Sequence, residues 1–251
     1  MGWGDEIMIT GEARRLNELT GRRVKVRGQL GNARMHTIFD GNPRIASPHD
    51  HGDAEEFEWI EWKSGNRPYI DYEKSTKERW AYTDWKCLPG ELYIKREPPG
   101  DYVIIEPHIK ANASPNKAWL FDRARALVQA VPEKWLQMGN KHTRRATDAP
   151  VRNTPHFLDA CRVLSGAKLY IGPEGGLHHA AAALGIPAIV IFGGMTSPAN
   201  TGYDNHVNLF SPDGSPCGWR IPCDHCKSAM DAITVEMVAD MIPIALSKGK
   251  N

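Results

Sequence analysis

The run from Leu169 to Gly194, LYIGPEGGLHHAAAALGIPAIVIFGG, limits the possible folds more than any other part of the chain. Leu169-Tyr170-Ile171 is a short apolar run that stops at Gly172-Pro173, and Glu174-Gly175-Gly176 then leads into an alanine-rich segment of high helix propensity. Gly185 and Pro187 close that segment, and Ala188 to Phe192 follows as a second apolar run without polar alternation, the signature of a parallel strand covered on both faces. Strand, glycine turn, helix and strand make a βαβ unit. Its first turn faces the carboxyl edge of the sheet, where open α/β sheets bind ligands, and a helix N-terminus there suits a phosphate. His178 and His179 fall in the first helical turn, a poor place for a ring to pack and a good one for reaching a ligand. The spacing matches neither the dinucleotide fingerprint nor a P-loop.

These residues resemble family 9 of the glycosyltransferases, the heptosyltransferases. The family's donor-site pattern is an acidic residue, any residue, glycine, two further residues and histidine, and it falls here on Glu174, Gly176 and His179. Gly175, Leu177 and His178 lie within the same run, and Thr196 opens the loop that in the family flanks the nucleotide. The family usually has aspartate where this chain has Glu174. Near the amino terminus, Gly2-Trp3-Gly4-Asp5 is similar to a family motif whose aspartate is the proposed base, which makes Asp5 the candidate, with N-capping as the plain structural alternative. Lys117, two residues before Trp119, matches a lysine that the family places near the donor phosphates; without the resemblance it reads as a surface lysine.

The resemblance implies an α/β protein of GT-B type, with two Rossmann-like domains and a cleft between them. The amino-terminal domain, 1–98, is reduced and faces the acceptor; the carboxyl-terminal domain, 99–251, binds the donor. It also implies sugar transfer from a nucleotide diphosphate sugar to an acceptor hydroxyl, inverting and metal-independent, with a glycan or lipopolysaccharide-type acceptor that carries phosphate in some cases. The family has a β-strand before the glycine-aspartate motif, for which this sequence leaves only Met1.

With 251 residues, 41% hydrophobic and 24% charged, the chain can bury a sizeable core, and a net charge of +1 gives no bulk case for nucleic acid or anionic membrane. The charge is uneven. Arg14, Arg15, Arg22, Arg23, Lys25, Arg27, Arg34 and Arg44 form a basic segment, whereas Asp53, Glu55, Glu56 and Glu58 form an acidic one. The basic segment keeps a second reading open, a glycosyltransferase acting on modified DNA bases; a non-catalytic nucleotide-sugar-binding module is a third. No signal peptide or membrane-spanning run is legible, and five cysteines do not make a secreted disulfide scaffold, so the expected location is the cytoplasm.

Along the chain, Gly2 to Gly11 reads as a glycine loop leading into a helix that ends at Thr20-Gly21, and Arg23 to Gln29 as a strand. Ile38-Phe39 reads as another strand. From His49 to Pro99 periodicity is weak and aromatics are dense, Trp62, Tyr69, Trp80, Tyr82 and Trp85 among them; they read as an irregular core or as part of an acceptor cleft. A strand spans 101–107, and the helix after Lys117 has Trp119, Leu120, Ala124, Leu127 and Val128 as its buried stripe. Thr154-Pro155 caps a helix through Leu164, and Thr234 caps the closing helix, which Pro243 bends. Cys217, Cys223, His225 and Cys226 offer the donor set of a structural zinc site. Because His225 sits between two of the thiols, the spacing favours reduced, partly buried thiols, and no cofactor is expected beyond the nucleotide sugar.

Overall fold

In the computed structural model, which describes residues 1–52, 54–75, 78–80, 83–110, 113–140, 142–145, 148–211 and 216–249, the two apolar runs lie side by side as parallel strands. They are β7 (Leu169–Pro173) and β8 (Ala188–Gly193), joined by helix α4 (Gly176–Leu184). Every residue of both strands is buried, as their unbroken apolarity requires. Around them the sheet takes in β4 (Val103–Ile105), β5 (Trp135–Gly139), β6 (Val151–Asn153) and β9 (Val207–Phe210). Its order is β6-β5-β4-β7-β8-β9, all parallel. Counted from β4, that is the doubly wound order 3-2-1-4-5-6, and its topological switch point lies between β4 and β7.

The amino-terminal part is built on helix α1 (Trp3–Thr20) and three strands, β1 (Arg23–Arg27), β2 (Ala33–Arg34) and β3 (Phe57–Glu61). They pair in the order β2-β1-β3, with β1 and β3 parallel. Val24 and Val26 of β1 point into the core, as their alternation predicts. One hydrophobic cluster crosses from this part into the other: Ile7 and Ile9 of α1 share it with Ala180 and Ala181 of α4 and Val190 of β8. The chain near residue 98 is irregular, yet the core does not divide there.

Several local expectations are corrected. The glycine-rich start is not a loop, because α1 begins at Trp3, and Asp5 is the third helical residue rather than the cap. Its carboxylate reaches back to the Gly2 N–H as the return half of a capping box. Ile38-Phe39 belongs to a 3-10 turn, Thr37–Phe39, closed by His36, so it is not a strand. Helix α2 (Phe121–Ala130) starts after Trp119 and Leu120; Trp119 is buried by its indole bond to the Ile233 carbonyl, whereas Leu120 is exposed. Helix α3 (Phe157–Leu164) starts two residues beyond Pro155, with Asp159 answering the His156 N–H. The closing helix α7 (Val235–Lys248) is capped by Thr234 and contains Pro243, as expected. Two short helices complete the chain, α5 (Pro198–Thr201) and α6 (Asp224–Asp231). Asp53 and Tyr82, named above for the acidic and aromatic segments, lie outside the described residues. No described helix is long and apolar enough to cross a membrane.

Candidate functional site

Lys117 and Glu174 meet across the switch point. Lys117 ends a 3-10 turn in the loop after β4, Glu174 directly follows β7, and the two form an ion pair beside the start of α4. Both side chains are largely buried. Burial alone would push the Glu174 carboxyl up, but Lys117 first, then His179, hold it well below the usual carboxylate range. A carboxylate kept ionised next to a helix N-terminus supplies an acceptor there, and the lysine supplies a cation. A Cβ on Gly175 would meet open space, whereas one on Gly176 would stand 3.1 Å from the Phe157 ring and 3.3 Å from Trp3, so the N-terminus of α4 is open on the Gly175 side and packed on the other. Leu177 is half-buried on the next position.

The two histidines part ways. His179 lies over Glu174, its Nε2 3.7 Å from Oε1, and its Nδ1 is 2.7 Å from the Tyr203 hydroxyl. His178 lies deeper, fully buried among His179, Phe192, Tyr203 and His206; a ring nitrogen of it is within 4.8 Å of the Glu174 carboxylate and of His179, and among the described residues neither ring nitrogen has a hydrogen-bond partner. The expectation that a ring in this turn packs poorly therefore fails for His178. Burial, then the neighbouring His179, push it well below the ordinary histidine value, and burial takes His206 down to about 4. Thr196, beyond the end of β8 on the same sheet edge, is buried with its hydroxyl unpartnered.

Asp5 reaches this edge from α1, whose first turn packs on the first turn of α4. A Cβ on Gly4 would stand 2.6 Å from the His179 ring, so only glycine lets the two turns come this close. The Asp5 carboxylate is buried. Its Oδ1 accepts a 2.7 Å hydrogen bond from the Tyr69 hydroxyl, with the Trp62 indole N–H at 3.4 Å and Arg67 Nε at 3.6 Å. Burial, reinforced by Asp5, raises the Tyr69 phenol well above its ordinary value and keeps it a donor. Tyr69 and Trp62 use the two lone-pair directions of Oδ1, whereas among the described residues Oδ2 accepts only the Gly2 N–H, at 3.0 Å, and keeps one direction for a further O–H.

Trp62 and Tyr69, which the sequence offers as irregular core or acceptor cleft, gather on Asp5 together with Arg67, which no spacing marks because the stretch is aperiodic. Asn200 of α5 was missed as well: it holds the same stretch in place by donating from its amide to the Tyr69 carbonyl and the Thr83 hydroxyl. The basic segment, by contrast, is largely paired, its seven arginines sharing six carboxylates. Arg14, Arg15, Arg22, Arg23, Arg27, Arg34 and Arg44 each pair with a carboxylate, and Lys25 donates to the Asp50 carbonyl. That reduces the charge on which a DNA-tracking surface would depend.

The cysteine loop closes on itself. Cys223 caps α6, Cys226 lies in its first turn, and Cys217 approaches both, so the ligand atoms of Cys217, Cys223, His225 and Cys226 all lie within 4.8 Å of one another. The Cys217 and Cys223 sulfurs are 3.8 Å apart, close to the edge of a sulfur tetrahedron around a metal with bonds of about 2.3 Å. His225 Nδ1 lies 3.8 Å from the Cys226 sulfur, so adjacency in sequence does not keep the two groups apart, whereas the Cys217 and Cys226 sulfurs, 2.9 Å apart, are closer than that edge. Asn116 ties the loop to the turn that carries Lys117, donating to the Trp219 and Ile221 carbonyls and accepting from the Cys223 N–H.

The model of glycosyltransferase family 9 (heptosyltransferase) matches residues 101–231. No curated protein gives a significant sequence match. Among solved structures, the iron-containing dodecameric glycosyltransferase TibC of enterotoxigenic E. coli is similar over 100% of this chain and 75% of its own, at 16% identity and a TM-score of 0.65. A family 9 glycosyl transferase from Veillonella parvula is similar over 99% of this chain and 95% of its own, at 14% identity and a TM-score of 0.63. The ADP-heptose heptosyltransferase II of E. coli is matched over 63% of this chain at 18% identity and a TM-score of 0.46; the chain spans 50% of that protein's length.

Proposed function

Because the chain belongs to glycosyltransferase family 9, we propose that it transfers a sugar from a nucleotide diphosphate sugar to an acceptor hydroxyl, with inversion at the anomeric carbon. The observation that carries this reading is the convergence of three features on one sheet edge: the Lys117–Glu174 pair at the switch point, the N-terminus of α4, which no side chain caps among the described residues, and the buried carboxylate of Asp5. In this reading residues 1–98 form the acceptor side and 99–251 the donor side. The diphosphate lies on the α4 N-terminus, with Gly175, Gly176 and Leu177 offering backbone and Lys117 offering charge. Glu174 and His179 orient the lysine and the donor sugar, and Thr196 turns its hydroxyl to the nucleotide.

In the reaction the acceptor oxygen attacks the anomeric carbon while its proton passes to the Asp5 carboxylate, whose Oδ2 has the open lone pair. The bond from that carbon to the diphosphate oxygen breaks, and Lys117 together with the helix N-terminus takes up the charge of the departing nucleotide diphosphate. Those groups supply the positive charge this step needs. The three thiols and imidazole of the cysteine loop fit a tetrahedral zinc or iron ion, which Cys217, Cys223, His225 and Cys226 would hold in a structural role. A calorimetric screen of nucleotide diphosphate sugars, ADP-heptose among them, tests the donor; transfer assays on the donor that binds then test the chemistry. Failure of every such nucleotide to bind would overturn the proposal. Elemental analysis tests the metal, with about one zinc or iron per chain expected and loss of that metal in Cys226→Ser.

A further inference from the structure

His179 has a neighbour at each ring nitrogen. Its Nε2 stands 3.7 Å from Oε1 of Glu174, while its Nδ1 lies 2.7 Å from the hydroxyl of Tyr203. The ring has little room to leave this line, because a Cβ on Gly4 would stand 2.6 Å from it and the His178 ring lies 4.2 Å away, centroid to centroid. The Glu174 carboxylate is thereby met at both oxygens, by Lys117 at Oε2 and by His179 at Oε1.

Tyr203, which follows α5, is built firmly into the fold. It is buried, and its carbonyl accepts from the Asn208 amide of β9 at 3.0 Å and from the His206 N–H at 3.1 Å. Its ring meets His179 and His206 edge-on, with centroids 5.7 Å and 5.4 Å away. Cys87 closes the pocket from the amino-terminal part, its thiol donating to the Gly202 carbonyl. Burial pushes the Cys87 thiol up to about 12 and the Tyr203 phenol well above its ordinary value, so the hydroxyl keeps its proton near neutrality.

A neutral imidazole has one N–H and one acceptor nitrogen. The ionised Glu174 favours the tautomer that turns N–H toward it, since the other would aim a lone pair at an anion. Nδ1 is then the acceptor, and the Tyr203 hydroxyl is the donor that meets it. Packing alone would be served by phenylalanine; the hydroxyl is what a buried acceptor nitrogen requires.

We infer that Tyr203 is a positioning residue: its hydroxyl donates to Nδ1 of His179, which fixes the imidazole with Nε2–H toward Glu174 and keeps the Lys117–Glu174 pair aimed at the start of α4. Its part in catalysis depends on the glycosyltransferase reading, whereas the hydrogen bond does not. A displacement of about 1 Å at a catalytic group can cost on the order of 100-fold in rate, so a residue that touches no substrate can still govern turnover.

The test is the imidazole nitrogen spectrum of the full chain labelled with 15N-histidine, the His179 signals being those lost in His179→Gln. The wild type is expected to show Nε2–H and a hydrogen-bonded acceptor Nδ1, and in Tyr203→Phe the Nδ1 signal should move toward the position of a free acceptor nitrogen. A proton on Nδ1 in the wild type, in a neutral or a doubly protonated ring, overturns the proposal without recourse to any variant, as does an Nδ1 signal indifferent to Tyr203→Phe. With the donor that the calorimetric screen identifies, Tyr203→Phe should lower kcat for transfer about tenfold or more at nearly unchanged KM. In the His179→Gln background the same change should cost less than about twofold, because Tyr203 acts through that ring. An equal loss in both backgrounds, a KM rise at constant kcat, or no loss at all overturns the positioning role. The expected spectra in a protein that binds no nucleotide would leave the hold on His179 standing and remove the transferase reading instead.

Discussion

Residues 101–249 bring their groups to the site on regular backbone, whereas residues 1–98 bring theirs on side chains hung from one helix and a long irregular stretch. Glu174 and the α4 N-terminus follow a strand buried along its whole length, so their position is fixed by the sheet ladder and by packing on both faces. Asp5 is fixed by Tyr69, Trp62 and Arg67, and these in turn by bonds such as those from Asn200. The difference suits two ligands of different demands. A diphosphate needs backbone N–H groups held in one geometry, which a sheet and helix supply without reference to side-chain identity. A base and an acceptor pocket need particular side chains, which an aperiodic stretch can present in any direction.

If the two parts have these separate duties, disabling the base should spare the donor side. Asp5→Asn keeps one of the two oxygens that accept from the Gly2 N–H and the Tyr69 hydroxyl and cannot take a proton, so transfer is expected to fall by roughly 100-fold to 10,000-fold with nucleotide affinity nearly unchanged. Parallel transfer assays and nucleotide titrations read both; full activity in the variant would remove Asp5 from its role.

Lys117→Ala attacks the other part and should be felt in stability as well as turnover. It strands a buried carboxylate, a change that typically costs about 3–5 kcal/mol, and turnover should fall about tenfold to a thousandfold. Because Glu174 has its carboxyl lowered in the folded protein, its pairing stabilises above the ordinary value of 4.5 and is lost as pH falls below it. Urea unfolding of the wild type should therefore weaken on acidification, and the double variant Lys117→Ala/Glu174→Gln should recover stability without activity. A single variant as stable as wild type would sink the idea of a buried pair.

Gly218→Ala probes the contact between the parts. A Cβ there meets the Trp80 ring and requires a left-handed backbone, so a loss of roughly 1–3 kcal/mol is expected, together with altered Trp80 fluorescence. An unshifted melting curve would mean the two parts do not touch there. At the small end, Arg15→Ala and Arg22→Ala remove exposed ion pairs and should move stability by less than about 0.5 kcal/mol each, with no salt-dependent DNA binding to lose. A large effect of either on duplex binding would restore the DNA reading that their pairing weakens.

The sequence by itself determined the βαβ unit around α4, the edge of the sheet at which it presents Glu174, and the family pattern on Glu174, Gly176 and His179, because uniform burial and helix-stop chemistry act on neighbours in the chain. It also marked Thr234 as a cap and Val24 and Val26 as core. Local signals misled where a competing contact was distant or adjacent in an unexpected way: Asp5 answers the Gly2 N–H from inside the helix, and Ile38-Phe39 closes a turn rather than pairing. Only the tertiary structure decided that both successive histidines are buried beside Glu174, that seven arginines share six carboxylates, and that Arg67, Tyr69 and Trp62 gather on Asp5 from more than fifty residues away. The same holds for the cysteine loop, where adjacency in sequence argued against a shared ligand set and the first turn of α6 brought the four groups together. Periodicity reports burial along an element, but it carries no information about which aperiodic side chains meet across elements, since that depends on how the helices and the sheet pack.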